Sequence, residues 1–344
     1  MISEQQQNQQ QNQAIIDWIS FSLPVSLMWY DKAINLRQDV HSALVELFGP
    51  CMSNPIATVG RGSFYREKYV IRDTNGKPLV TVYTCPTTAQ SSNTTAFSVS
   101  GYALSRHSQL MANFDPISLL HKIKAMKGRL TRLDLALDIF DNPKLLPSIF
   151  DASRPSVWEQ RIVSRLRFEK PMPVGWENET IYFNRRTDET CICCYDKAKE
   201  QNIEGVWTRL EFRSRNRKLL ANVLAELTAG RAVGQVTARL LGDYLKFVGP
   251  GDGNKYRKPV ATWWAKVIKE GQGFEFQRHS LGKLDEDGNE HNSPKKCGKT
   301  VDQVTRYLKD ACRYADLGMM DEIGTVFAQI RYDKQLEIEL EKMW

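Results

Sequence analysis

Hydrophobic and polar positions follow two rhythms along this chain, and the clearest is a strict alternation from Thr131 to Phe140. Leu133, Leu135, Leu137 and Ile139 fall on one face, and Arg132, Asp134, Ala136, Asp138 and Phe140 on the other. A period of two predicts a strand with one buried face. Asp is disfavoured in strands, yet it occurs twice on one face. Either these acids face water on an ordinary amphipathic strand, or they are site residues carried on a sheet.

The same rhythm predicts further strands. Ile15 to Leu23 alternates Ile16, Trp18 and Ser20 against Asp17, Ile19 and Phe21, and ends at Pro24. Phe64 to Ile71 and Leu79 to Cys85 flank Asp73-Thr-Asn-Gly76, a hairpin signal. Phe97 to Leu104 reads as a strand interrupted by Gly101. Glu179–Asn184, Thr190–Asp196 and Val206–Ser214 form a second group of strands. Helical spacing marks Asn35 to Phe48, Pro116 to Lys127, a stretch around Trp158 to Phe168, residues 217–247, and a helix opening at Thr262. The expectation is an α+β fold of antiparallel sheets with packed helices over about 14–250. A Gln/Asn-rich tail (1–13) without structure precedes it. A helical part (251–344) follows, with a polar linker near 280–300.

Composition changes this picture little. The chain has 344 residues, and 47 Lys plus Arg against 40 Asp plus Glu leave a formal charge of +7. That mild excess favours a polyanionic partner. No run reaches ~18 apolar residues and the N-terminus lacks a signal-peptide pattern. A cytoplasmic protein without membrane association is expected. Seven cysteines do not suggest a disulfide framework. Cys191, Cys193 and Cys194 cluster, but without a second Cys/His pair they do not make a zinc site, and reduced thiols on a half-buried strand are expected. The loop Gly249-Pro-Gly-Asp-Gly253 lacks the Lys-Ser/Thr of a phosphate-binding loop and reads as a turn.

Candidate chemistry gathers on the polar faces of the central strands. Tyr182 lies opposite Ile181 and Phe183 and is followed by Arg185 and Arg186. A phenol ionises near pH ~10, so as a nucleophile it needs a cation beside it. Arg209, Glu211 and Arg213 form a second charged face, either an exposed salt-bridge ladder or a metal ligand between phosphate-binding arginines. Asp134 and Asp138 are roughly 13 Å apart at ~3.3 Å per residue. Both cannot hold one ion on a regular strand; one of them with Glu211 would suffice for Mg²⁺ or Mn²⁺. Tyr195 and Lys197 are the remaining candidates, as an alternative nucleophile and a neutralising cation. On the plain alternative, Tyr195 packs and Lys197 caps the sheet edge.

Six stretches occur together and in order: Ile16-Asp-Trp-Ile-Ser-Phe-Ser22, Ser98-Val-Ser-Gly-Tyr102, Thr131-Arg-Leu-Asp-Leu-Ala-Leu-Asp138, Thr180-Ile-Tyr-Phe-Asn-Arg185, Cys194-Tyr-Asp-Lys-Ala-Lys-Glu200 and Trp207-Thr-Arg-Leu-Glu-Phe-Arg213. With them the chain resembles the replication initiation factor family, whose members include rolling-circle initiators of plasmids and filamentous phages and some conjugative relaxases. Tyr256-Arg-Lys-Pro259 with Trp263 and Trp264 resembles the end of the phage-type members. The resemblance implies metal-dependent, origin-specific nicking and joining of DNA through a phosphotyrosine, leaving a 3′ hydroxyl that primes synthesis. It places metal carboxylates at Asp134 and Asp138, with Glu211 a further candidate, and the nucleophile at Tyr182, with Tyr195 open. Asn184 stands where the family's segment has glycine. Implied partners are origin DNA, double- and single-stranded; a host helicase or polymerase and a second copy of the chain are further candidates. The alternative is a non-catalytic origin- or operator-binding regulator on the same fold. A tyrosine transposase or integrase fits less well, because such a site wants His and Arg around its tyrosine and His is scarce.

Overall fold

The computed structural model describes residues 11–24, 44, 46–49, 56–58, 64–73, 76–87, 94–110, 114–166, 170–174, 180–250 and 253–277. The expected N-terminal tail up to residue 10, most of the helix expected from Asn35, the linker near 280–300 and the helical segment after it lie outside the described residues.

Strands β1 (Gln13–Pro24), β2 (Ile56–Thr58), β3 (Tyr65–Arg72), β4 (Pro78–Pro86) and β5 (Thr94–Ser100) lead into helices α1 (Gly101–Leu110) and α2 (Pro116–Ala125). Strand β6 (Arg129–Phe140) follows, then α3 (Leu145–Ala152), α4 (Trp158–Arg161), β7 (Ile162–Ser164), β8 (Met172–Val174), β9 (Thr180–Phe183) and β10 (Thr190–Asp196). The described part closes with α5 (Lys197–Gln201), β11 (Trp207–Ser214), α6 (Arg217–Thr228), α7 (Val233–Tyr244), β12 (Leu245–Phe247), α8 (Thr262–Gly271) and β13 (Glu275–Phe276). One sheet runs β2-β3-β4-β5-β1-β6-β11-β10-β9-β8, with β13 added parallel to β1. All other pairs along it are antiparallel. This is the expected α+β class. The sheet takes in residues on both sides of position 250, because β13 pairs at Gln13 and Ala14.

The long strand β6 sits between β1 and β11 and organises the core. Leu133, Leu135, Leu137 and Ile139 are buried in one cluster with Phe212 of β11, Ile19 and Phe21 of β1, and Leu220, Val223 and Leu240 from the helices. Burying such side chains stabilises by about 1.5–3 kcal/mol each. Close helix packing needs small residues at two points. A Cβ on Gly234 would meet the Phe274 carbonyl oxygen at 2.5 Å, and one on Gly271 would meet Leu137 at 2.6 Å.

Four local expectations are corrected. In β1 the pairing with β6 shifts between Ile16 and Trp18. That bulge puts Ile16 on the core side with Ile19 and Phe21, and frees Asp17 to join Trp18 on the polar side. Strand β5 ends at Ser100, and Gly101 starts a helix rather than interrupting a strand. The Ser100 hydroxyl accepts from the Ala103 amide at 3.3 Å, while Ala103 and Leu104 turn inward together. Residues 217–247 form two helices and a strand, parted at Gly230 with φ +89°, and the helix expected at 158–168 is one short turn before β7.

Candidate active site

The second face of the sheet carries the ionisable residues in two groups, held apart on β6 by Ala136, which pairs with Ile15 of β1. At one end Arg209 donates to both oxygens of Asp138, at 2.7 and 2.8 Å, and to Asp17 Oδ1 at 2.8 Å. Gln13 donates to Asp138 Oδ2 at 3.1 Å. Arg209 and Asp138 are fully buried. The neighbouring acids Asp138 and Asp17 raise the Arg209 pKa against the opposing effect of burial. The β1 bulge makes this closed group possible, because it delivers Asp17.

The other end is half-open. Arg132 Nε donates to Asp134 Oδ1 and Oδ2 at 3.0 and 3.1 Å. Arg213 donates from Nε to Glu211 Oε1 at 2.6 Å and from Nη2 to Oε2 at 2.9 Å. Arg213 Nε also lies 3.9 Å from Asp134 Oδ2, so the four residues form one network. Both carboxylates are buried to within 1 % exposure, whereas the Arg132 and Arg213 side chains keep 22 % and 19 %. In the β6–β11 register Asp134 faces Arg213 and Glu211 faces Ala136. The two acids are therefore diagonal neighbours on one face. Burial pushes the Asp134 carboxyl up to about 7; the Arg132 hydrogen bond opposes this and the Glu211 charge adds to it.

Both candidate tyrosines lie on the β10 and β9 side of this network. Tyr182 pairs in register with Cys193, which pairs with Glu211. The Tyr195 hydroxyl donates to Glu211 Oε2 at 3.4 Å, and the Cys193 thiol to the same oxygen at 3.5 Å. Burial raises both phenols; at Tyr182 the charges of Arg186 and Arg213 oppose it, whereas at Tyr195 the Glu211 charge adds to it. Arg186 lies over the Tyr182 ring at 4.9 Å. Lys197 is buried at the start of α5, 5.8 Å from the Tyr195 ring centroid, and is ion-paired with Glu200. Burial pushes the Cys191 thiol up to about 12 and raises Cys193 and Cys194, so all three are resting thiols. Cys194 points to the core side with Ile192.

The β9–β10 hairpin positions Tyr182 and Arg186. Asn184 adopts φ +80° and its Nδ2 donates to the Thr190 carbonyl at 2.8 Å. Asparagine tolerates the left-handed region better than other non-glycine residues, so the turn forms with asparagine in place of glycine. Arg185 is exposed on the turn and its amide donates to Asp188.

Sequence reasoning missed two contributors. Asp17 was legible by the argument applied to β6, an Asp inside a strand. Arg215 continues the Arg209, Glu211, Arg213 alternation past the end of β11. It donates to the Arg186 carbonyl at 3.0 Å, and burial together with the Arg132 charge lowers its pKa.

As a metal site, the donor set at the half-open end is two hard carboxylates in contact through charge. Magnesium is commonly held by one or two carboxylates plus waters and substrate phosphate, and Asp134 with Glu211 fits that pattern. Among the described residues no group of three or more His, Cys, Asp or Glu forms a fuller protein cage. The oxygens of all three acids accept from arginine, those of Asp138 from the fully buried Arg209 and those of Asp134 and Glu211 from the partly exposed Arg132 and Arg213.

Residues 128–317, more than half of the chain, match the family model described as replication initiation factor. The fold is similar to the structure of a rolling-circle replication initiator protein from Geobacillus stearothermophilus, with a TM-score of 0.62 and 18 % identity over 78 % of this chain and 100 % of that one. No curated protein matches the chain. Among the described residues no helix is long and apolar enough to cross a membrane.

Proposed function

We propose, for a chain that belongs to the replication initiation factor family, that it nicks and rejoins one strand of origin DNA through a phosphotyrosine and so starts rolling-circle replication. The observation that carries this reading is the Asp134–Glu211–Arg132–Arg213 network on β6 and β11 with two tyrosines beside it, on β10 and β9 of the same sheet face.

Tyr182 is the nucleophile in this reading. Its oxygen bonds to phosphorus as the bond to the 3′ oxygen breaks; the phenol loses its proton and the 3′ oxygen gains one. Burial raises both phenols, and Glu211 adds to both; at Tyr182 Arg186 and Arg213 oppose the rise, whereas at Tyr195 only Arg209 opposes it among the leading causes. Asp134 and Glu211 would hold a divalent cation, Mg²⁺ or Mn²⁺, which supplies Lewis-acid polarisation of the phosphate. Arg132, Arg213, Arg186 and Arg185 bind phosphate oxygens on either side of the break, for which a guanidinium fork is well shaped. Arg209 and Asp138 are the support of this site and not DNA or metal ligands in this reading, since both are fully buried and paired with each other. Energy kept in the phosphotyrosine allows rejoining without ATP.

The test is nicking of a supercoiled origin plasmid with Mg²⁺ or Mn²⁺, followed by mass spectrometry of the peptide left on a suicide oligonucleotide. A Tyr182 adduct is expected; a Tyr195 adduct moves the nucleophile one strand inward. A second reading, a DNA-binding regulator without nicking, is favoured by one observation: both phenols are buried and raised. Absence of nicked product with any metal decides for it.

A further inference from the structure

On the β1 side of the half-open group the neighbour is an indole. In the β1–β6 register Trp18 faces Asp134 and Ser20 faces Arg132, so Trp18 is the diagonal neighbour of Arg132 on the site face. Its ring centroid lies 4.2 Å from the Arg132 guanidinium carbon. That is inside the ~6 Å range of a cation–π contact, for which Trp is the best ring. The indole itself is pinned. Its Nε1 donates, shared, to Ser20 Oγ at 2.8 Å and to Ser98 Oγ at 3.1 Å, and the two hydroxyls are 2.9 Å apart. Ser20 and Ser98 pair across β1 and β5. On the core face of the same two strands Phe21 stacks on Phe97 at 5.0 Å. Trp18 is thus half-buried, with its polar atom satisfied and its ring turned to an arginine.

Arg132 therefore has two partners with different demands. Toward Asp134 it gives its Nε to both oxygens, at 3.0 and 3.1 Å. Toward Trp18 it gives charge alone, since attraction to a ring face needs no hydrogen-bond donor. Where Asp134 is given to a cation, the first partner is lost and the second is kept. We propose that Trp18 is a positioning residue of the nicking site: its indole face keeps Arg132 beside the site while Asp134 serves a cation, so that the arginine's donors meet a phosphate oxygen. This rests on the reading that the site nicks DNA with a divalent cation. An arginine held in this way has its fork in place before the phosphate arrives, and less side-chain freedom is lost on binding.

The full chain is compared as Trp18→Leu, Trp18→Phe, Arg132→Gln and the double variant Trp18→Leu/Arg132→Gln. Melting temperatures verify folding, and if Trp18→Leu is unfolded, the unbranched Trp18→Met takes its place. Two measurements are paired. One is affinity for a single-stranded origin oligonucleotide by fluorescence anisotropy, with Mn²⁺ and again in EDTA; the other is kcat/KM for its cleavage. With Mn²⁺, Trp18→Leu is expected to lower both affinity and kcat/KM by about 3–10-fold, and Trp18→Phe, which keeps an aromatic face, by less than about threefold. The double variant should lose no more than Arg132→Gln alone, because effects that run through one arginine do not add. In EDTA, with Arg132 on Asp134, Trp18→Leu should bind the oligonucleotide like wild type. Additive losses overturn the proposal, because the indole would then act by packing or by touching DNA itself. An equal loss in EDTA overturns it as well. If the wild type binds the oligonucleotide yet cleaves it with no metal, it is the nicking reading that fails, and the affinity cycle still decides this one.

Discussion

Asp134 and Asp138 stand on the same face of the same strand, four residues apart, and have opposite surroundings. Asp138 shares one fully buried arginine with Asp17, and every oxygen it has is engaged. Asp134 shares two partly exposed arginines with Glu211, and burial holds its carboxyl up to about 7. In the first group a charge is locked inside the fold. In the second, acids are buried but their arginine partners reach solvent, so on the proposed reading the arginines would turn to a phosphate and leave the acids to a cation. On the proposed reading, the contrast is between residues that would hold the site and residues that would act in it. It arises from what lies across the strand, Arg209 in one case and Arg213 in the other.

The comparison is broken or sharpened first at the tyrosine beside the half-open group. Tyr182→Phe is expected to lower covalent DNA-adduct formation by ~10³-fold or more while changing stability by no more than about 1 kcal/mol. Adduct yield on a suicide oligonucleotide and urea unfolding together measure this. Full adduct yield would remove Tyr182 from the chemistry and leave Tyr195.

The closed group should respond in the opposite way. Arg209→Leu leaves Asp138 and Asp17 without their partner and is expected to cost about 3–5 kcal/mol of stability, as breaking a buried ion pair commonly does. A loss under ~1 kcal/mol in denaturant unfolding would mean the group is not the support it is taken for.

Between these lies the exchange of the two aspartates. Asp134→Asn should raise the Mn²⁺ concentration needed for half-maximal nicking by ~10–100-fold, with a small change in stability. Asp138→Asn should lower stability with little change in metal requirement, because the buried Arg209 loses the carboxylate that faces it. A metal requirement that moves with Asp138 and not with Asp134 would reverse the assignment of the two ends.

Much of this division could be read from the sequence, but its decisive part could not. The β6 alternation, the β9–β10–β11 group and the Asp73–Gly76 hairpin depend on periodicity and turn chemistry, which are local. So did the spacing argument that Asp134 and Asp138 could not serve one ion. Which aspartate goes with Glu211 depends on the β6–β11 register, and that is set by tertiary packing of the core face. The β1 bulge is invisible to a strict alternation count, and with it the role of Asp17. The face on which Arg209 lies was legible; its burial is given only by the structure. At Gly101 a helix-capping Ser and inward-turning Ala103 and Leu104 outweighed what had looked like a continuing strand.

The smallest effect concerns the acid limb of stability, which has to be assigned before either carboxylate group is judged by pH. His107 is fully buried, with its ring 5.0 Å from that of Phe48 and 5.1 Å from that of Phe114. Burial lowers its pKa to about 4, weakly opposed by the Leu79 backbone. The folded-state value lies below the unfolded ~6.5, so the unfolded chain takes the proton first. The stabilising contribution is therefore whole above pH ~6.5 and is lost as pH falls towards 4, amounting to about 2 kcal/mol already at pH 5. His107→Phe keeps an aromatic ring between Phe48 and Phe114 and removes the titration. The variant should lose less stability than wild type between pH 6.5 and 4, measured by urea unfolding at several pH values. Superimposable profiles would hand that limb back to the carboxylates, and the half-open group would then be the first place to look.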